Sequence, residues 1–529
     1  MKDETIISSE KKTDSDFLLD FRKPVNYVGG EFGLDFTQPA ASDLRVCVCF
    51  PENYQVGMSY LGMRIVHDIF FNAEGVSCER CFLPASDMIE YMYTSGNSLF
   101  SIETGTPLKE FDVLAFCINC EVNMINAVKM LILSDIEARA EDRTHCEPML
   151  IAGGLNNPEP VSLMCDAFFI GEIEPSADLL IDTLRKLKKS SKKEVLNELI
   201  SIEGIYVPAS GVSSDQVKRV HLADLNGPVR PINWLVPLTG IVFDRVQVEV
   251  QRGCPNQCNF CQARCVYHPY RERSARHVIN YAIDTLEKTG YEELSLMGLS
   301  VIDHSEIFEI LDGLIPYCKK NNIALGIPSI RPVPRAMEVI KKLMYHRRPA
   351  MTLAVEAADD ELRRSIGKLI ELDDVKNMII EGADLGYRNF KFYFMTGLPG
   401  EDEYHIDKIA RLLEDVWMSV KIRKGFSPVI SASVNCFMPK RFSVFADAPL
   451  LGHDEYLSRI KRLVRAVAHR KTIKIDYSDY FKIKIETMLA NGKSDLFDHI
   501  YQSAVLSLKS KADVLDKTLW EGMKIYEEI

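Results

Sequence analysis

Twice along the chain, short apolar runs of strand length alternate with stretches of helical period, and this rhythm limits the fold more than any other feature. The first series starts at Leu44: RVCVCFP reads as a buried strand and MSYLGMRIVHDIFF as an amphipathic helix. CERCFLP, FDVLAFCIN, PMLIAGG and DAFFIGE follow as strands, with helices expected at ASDMIEYMYTSG, MINAVKMLILS and SADLLIDTLRKL. Alternation of this kind predicts a Rossmann-like, doubly wound α/β domain over residues 41–200, after an arm over 1–40. Residues 201–243, rich in Pro, Gly and Ser, read as a linker with short strands. A second series fills residues 244–442, with strands at VQVEV, EELSLMGL, IALGIPSI, MTLAVEA, NFKFYFMTGL and VISASVNCF. Six βα units predict a partial (β/α)6 barrel, since a closed one needs eight. Residues 443–529 predict a helical C-terminal region.

Composition narrows the setting. No run of about eighteen apolar residues exists, so no membrane helix is expected. MKDETIISSEKKTDSD lacks the apolar core of a signal peptide, which places the chain in the cytoplasm. There, thiols stay reduced, and the fourteen cysteines point to metal binding or burial rather than disulfides. A net charge of −12 argues against a chain that coats nucleic acid indiscriminately. Of two basic stretches, RKLKKSSKK (185–193) reads as a solvated helix end, and Lys461 to Lys474 as a surface or substrate-docking face.

Four cysteines fall within QRGCPNQCNFCQARC, directly after the first strand of the second series. Cys254, Cys258 and Cys261 follow C-x3-C-x2-C. Three thiolates from one loop can hold three corners of a [4Fe–4S] cluster and leave one iron open to a small molecule. Cys265 as a fourth ligand would instead give a closed electron-transfer or zinc site, and zinc knuckles ordinarily come as two C-x2-C pairs.

C-x3-C-x-F-C after the first strand of a βα series resembles the radical S-adenosylmethionine (SAM) superfamily. With YVGGEFG, GMSYLGM, LFSIETGTPLKEFDV, IAGGLNNPEP and YFMTGLPGE, the string VEVQRGCPNQCNFCQARCVYHPYRERS resembles a subgroup that joins a cobalamin-binding-like N-terminal domain to a radical SAM barrel. The resemblance implies a cluster on Cys254, Cys258 and Cys261 whose open iron binds SAM. An electron then cleaves the sulfonium, and the resulting 5′-deoxyadenosyl radical takes hydrogen from a substrate. It also implies an electron donor such as a flavodoxin or ferredoxin.

For SAM itself the resemblance implies Phe260 beside the adenine, and Met297 and Gly298, with Leu299 and Ser300, beside the amino group. No acidic residue stands in that stretch, so backbone carbonyls are expected to serve. Ser329 and Arg331 are placed to reach ribose or carboxylate, Glu356 and Arg363 to clamp the methionine moiety, and Gly397 to let backbone approach the adenine.

Cobalamin is the second cofactor the resemblance allows. The loop PENYQVGMSYLG keeps Gly57 of the cobalamin motif D-x-H-x-x-G and lacks its histidine; His67 reads as a helix-surface or interface residue. Gly153–Gly154 matches the element that meets the nucleotide tail. CERC (78–81) and CINC (117–120) suggest a second cluster at first sight, as in methylthiotransferases. As a strand, however, CERC would turn Cys78 and Cys81 to opposite faces. The expected function is radical SAM catalysis on an unidentified substrate. Cobalamin-dependent methyl transfer, RNA modification of the methylthiotransferase kind, and an iron–sulfur carrier or sensor are the alternatives.

Overall fold

The computed structural model describes residues 16–38, 40–227, 233–328, 330–344 and 350–521. Two units make up the chain. The first is built from residues 16–220, 233–243 and 493–514, the second from 221–227, 244–492 and 515–521. Among the described residues no helix is long and apolar enough to cross a membrane.

The first unit is a six-stranded sheet in the order β2-β1-β3-β4-β5-β6. Its strands are β1 (Leu44–Phe50), β2 (Val76–Phe82), β3 (Val113–Cys117), β4 (Met149–Gly153), β5 (Ala167–Phe169) and β6 (Ile205–Tyr206). Every pair is parallel except β5–β6, so the expected sheet gains an antiparallel edge from the segment read as linker. Strands β1 and β3 are buried almost throughout because helices cover both faces. Strand order reverses at β1, which puts the ligand-binding crevice of such folds at the carboxyl ends of the central strands.

Between β4 and β5 the chain forms only a short 3₁₀ turn, Glu159–Val161, so one crossover helix is missing. The helix Phe497–Ser510, from the far end of the chain, packs on the helix Val122–Leu133 instead. Lys129 Nζ reaches Ser507 Oγ at 3.3 Å, Arg139 pairs with Asp498 and Lys511 with Glu90. The last helices therefore do not form one separate C-terminal region, as the sequence pattern suggested. Helical periodicity reports which face of a helix is apolar and not which sheet it covers.

The glycine-rich YVGGEFG of the arm is a staple. Glu31 accepts from Tyr54 Oη (2.8 Å) and from Arg80 Nη2 (2.5 Å), while Arg80 Nε also donates to Glu103 (2.6 Å). One guanidinium shared by two buried carboxylates leaves a charge unbalanced. Glu31 is held below the ordinary carboxylate range; burial opposes this, and Arg80 outweighs it. Burial pushes Glu103 up to about 7 against the pull of the same arginine.

The second unit carries seven parallel barrel strands: β7 (Val246–Glu249), β8 (Glu293–Met297), β9 (Ala324–Gly326), β10 (Met351–Glu356), β11 (Asn389–Thr396), β12 (Val429–Cys436) and β13 (Ile473–Tyr477). They form the sheets β9-β8-β7 and β10-β11-β12-β13, with a parallel bridge between Ile330 and Leu353 among the described residues. The six expected strands are all present. The seventh, IKIDY, lies where only helices were expected: it pairs with β12 as an outer strand, and its alternating charges face solvent. Of the basic stretches, Lys188 pairs with Asp112, Lys186 with Glu198, and a Ser191–Glu194 capping box starts the next helix, so RKLKKSSKK is a paired helix corner.

Two outcomes follow. Glu103 binds its proton more tightly folded than unfolded, so its contribution is present below the ordinary carboxyl pKa and is lost as pH rises to about 7. Glu103→Gln will flatten stability against pH between about 4.5 and 7 in urea titrations, where the native residue costs up to about 1.4 kcal/mol per pH unit. Ile500→Ala, on the fully buried face of the returning helix, will destabilise the first unit by about 2–5 kcal/mol in the same assay.

Candidate active site at the barrel mouth

The chain leaves β7 into a short antiparallel ladder, Gln251–Arg252 against Arg271–Glu272, which pins both ends of the cysteine loop. Gly253 takes φ +77°, and a Cβ there would lie 2.5 Å from Tyr267 O, so only glycine allows the two arms to come this close. The loop docks on the turn after the helix Asp360–Ser365. Asn259 N donates to Ile366 O (2.8 Å), Asn259 Nδ2 to Ser365 O (2.9 Å), and a Cβ on Gly367 would meet Gln257 O at 2.5 Å. Phe260 packs on a buried cluster of Ala357, Leu362, Ile366, Leu398 and Phe437.

Cys254, Cys258 and Cys261 are each partly exposed in this loop. Burial raises the Cys258 thiol pKa; Lys368 opposes it, and Cys261, Glu356 and Cys254 add to the rise. Those causes place the three thiols in one electrostatic neighbourhood. Cys265, exposed on the short helix Ala263–Val266, is not among them. Among the described residues no group of three His, Cys, Asp or Glu side chains is placed to hold a single metal ion.

Two polar groups flank the thiols. Asn256 Nδ2 lies 3.5 Å from Cys254 Sγ and donates to Asp303 Oδ2 (2.8 Å). Asp303 also accepts from Ser300 Oγ (2.6 Å) and faces Arg331 Nη1 at 3.4 Å. On the other side Lys368 Nζ sits 3.2 Å from Glu356 Oε1, with both side chains largely buried. Glu356 ends β10 at a register shift with φ +68°, a left-handed conformation that a glutamate adopts only when its surroundings hold it there.

Several expected positions have other work. Arg363 is fully buried; its Nε donates to Ile370 O (3.1 Å), Nη1 to Ala357 O (2.9 Å) and Nη2 to Asp360. It braces the turn under the cysteine loop and has no free fork for a methionine carboxylate. Gly397, at φ +89°, donates its amide to Glu401, and Leu451 Cβ lies 3.0 Å from where its own Cβ would be. Its glycine serves that turn rather than a nucleotide. Glu401, buried and also bonded to Thr396 and Arg459, organises the GLPGE segment.

Met297 O accepts from Val250 N (2.9 Å), which leaves one lone pair of this carbonyl. A Cβ on Gly298 would meet Gln251 Cγ at 2.6 Å. The carboxylate bonded to Asn256 beside Cys254 is that of Asp303, five residues beyond Gly298, where linear spacing gives little hint of it. Arg331 lies at the mouth, donating to Leu369 O (2.6 Å); Ser329 falls outside the described residues. Lys368, in SIGK, was legible only as one more helix-end cation.

In the first unit, His67 is buried rather than at the surface. It stacks on Phe71, its Nε2 has no hydrogen-bond partner among the described residues, and burial holds it well below its ordinary pKa. Gly57 and Gly154 have packing reasons of their own: a Cβ would meet the Phe82 ring at 2.3 Å and Ile118 O at 2.8 Å, respectively. Cys78 and Cys81 are buried on a single strand, β2, and so point to opposite faces; Cys117 is buried and Cys120 exposed.

A parallel barrel with a three-cysteine loop after its first strand defines a class, that of barrel enzymes built around an iron–sulfur cluster. Residues 62–208 match the family "Radical SAM proteins, N-terminal", and residues 248–413 match "Radical SAM superfamily". The chain belongs to the radical SAM superfamily and is a radical SAM enzyme. An uncharacterized protein of Methanocaldococcus jannaschii is 26% identical over 454 residues, covering 84% of this chain and 93% of its own. The threonylcarbamoyladenosine tRNA methylthiotransferase of Thermotoga maritima is 21% identical over 49% of this chain and 64% of its own. The cobalamin-dependent SAM radical enzyme OxsB, solved with aqua-cobalamin bound, shares the fold with a TM-score of 0.52. It is 14% identical, over 79% of this chain and 62% of OxsB.

Arg363→Met will lower the melting temperature and the iron retained after reconstitution together. A SAM clamp at this position would instead leave the melting temperature unchanged and weaken SAM binding alone.

Proposed function

We propose that the barrel mouth holds a [4Fe–4S] cluster on Cys254, Cys258 and Cys261, with SAM on the remaining iron. The observation that carries this reading is the loop itself: three neighbouring thiols, pinned at both ends and docked on the 365–368 turn, with the fourth cysteine outside. When bound, the cluster supplies one electron for breaking the SAM sulfonium, which yields methionine and a 5′-deoxyadenosyl radical for hydrogen abstraction from the substrate. The protein's own part is positioning and charge. Asp303 is the carboxylate for the methionine ammonium, held in place by Asn256 and Ser300. Lys368, balanced by Glu356, is the cation for the methionine carboxylate. Phe260 gives the apolar wall of the adenine site. The electron comes from a cytoplasmic donor such as a flavodoxin or ferredoxin.

The test is anaerobic reconstitution followed by electron paramagnetic resonance with and without SAM. A [4Fe–4S] signal that changes with SAM, with 5′-deoxyadenosine formed, is the expected result. Alanine at Cys254, Cys258 or Cys261 will abolish the cluster, whereas Cys265→Ala will retain it; the reverse pattern would make the protein a carrier or sensor. Asp303→Asn will keep the cluster and weaken SAM about tenfold, the loss expected for one charge-assisted hydrogen bond.

A second reading adds cobalamin in the first unit, favoured by the fold shared with OxsB. Its cobalt would then lack a histidine ligand from the loop after β1, where this chain has Asn53 to Gly57. Titration with aquacobalamin, followed by its visible spectrum, tests it: an unchanged spectrum removes methyl transfer from the candidates.

A further inference from the structure

We propose that the first unit carries a separate binding site for a small amphipathic acid, an apolar body of about ring size bearing one anionic group. A cavity of about 440 Å³ opens at the carboxyl ends of β1 and β2, within the range of small-molecule sites. Phe82, Leu83, Met92, Leu99, Phe100 and Ile102 give it an apolar floor. Its mouth is cationic. Arg22 and Lys23 line it, both exposed, and neither side chain is ion-paired among the described residues.

The mouth is built rather than loose. Arg22 N donates to Asp87 Oδ2 (2.9 Å), Gln55 Nε2 to the buried Asn26 Oδ1 (2.9 Å), and Ala85 N to Tyr27 Oη (3.1 Å). Lys23 is held at φ 53°, ψ 60° although Pro24 follows it, and a residue before proline is ordinarily pushed to extended backbone. Strain of this kind persists where surrounding structure fixes a side chain for use. Glu52 is the one carboxylate in the lining; it accepts from Asn126 Nδ2 at 3.4 Å and lies in the field of Lys129.

The lining itself holds two cations against one carboxylate on a chain of net charge −12, with Asp87 just outside it, bonded to Arg22 N. The cavity lies on the β2 side of β1, two strands from Gly153–Gly154 on β4, and its lining includes Asn53 to Gln55 of the loop after β1.

Calorimetric titration of the full-length protein with 2-naphthoate, and with uncharged 2-naphthalenemethanol, tests the assignment. One naphthoate should bind per chain, and the alcohol at least tenfold more weakly. Arg22→Glu/Lys23→Glu should lower naphthoate affinity at least tenfold, and Ser86→Trp at the exposed mouth should abolish binding, both with unchanged circular dichroism. No binding heat at millimolar naphthoate, equal affinity for acid and alcohol, or equal affinity of native protein and both variants would overturn it.

Discussion

The buried guanidinium of Arg363 is the constraint on which the candidate active site rests. It ties Ala357 O, just past the end of β10, to Ile370 O, and so fixes the turn between them. On that turn sit the carbonyls that receive Asn259, the glycine that admits Gln257, and Lys368 beside Glu356. A buried cation bonded to two backbone carbonyls and a carboxylate is a rigid brace, because leaving any of those groups unpaired costs the desolvation of a charge. The cysteine loop has no core of its own and takes its shape from this support and from the two-stranded ladder at its base.

The first unit depends on a different device. Its sheet lacks the crossover helix between β4 and β5, and the last helix of the chain fills the gap. The N-terminal arm is anchored through the pairing of Glu31 with Arg80 and Tyr54. Segments from either side of the barrel, 16–220 and 493–514, are thus built into the first unit, while residues 515–521 return to the second. The segment most like a phosphate loop, YVGGEFG, proves to be structural: Gly29 clears Ile102 O, and Glu31 is a buried ion-pair partner.

Much of the site was legible in the sequence. The triad Cys254, Cys258, Cys261 stood out because its spacing is local, and local spacing survives folding. Phe260 packs on an apolar cluster and Arg331 pairs with Asp303. Arg363 and Gly397 misled because a conspicuous residue at a strand end can serve the protein's own backbone as well as a cofactor. Asp303 and Lys368 escaped notice because their importance comes from loops that meet only in the folded barrel. His67 could be read only as a helix-surface or interface residue because helical periodicity alone does not say how widely a helix is covered; it is buried.

By itself, the sequence determined the two α/β series, their order and the chemistry of the cysteine loop, because strand alternation, helical period and ligand spacing are all properties of neighbouring residues. Only the tertiary structure decided that IKIDY extends the barrel sheet, that the helix Phe497–Ser510 belongs to the first unit, and that Asp303 and Lys368, rather than Arg363, bring their charges beside the thiols. Those outcomes depend on which distant segments bury one another and which donors the backbone has already claimed.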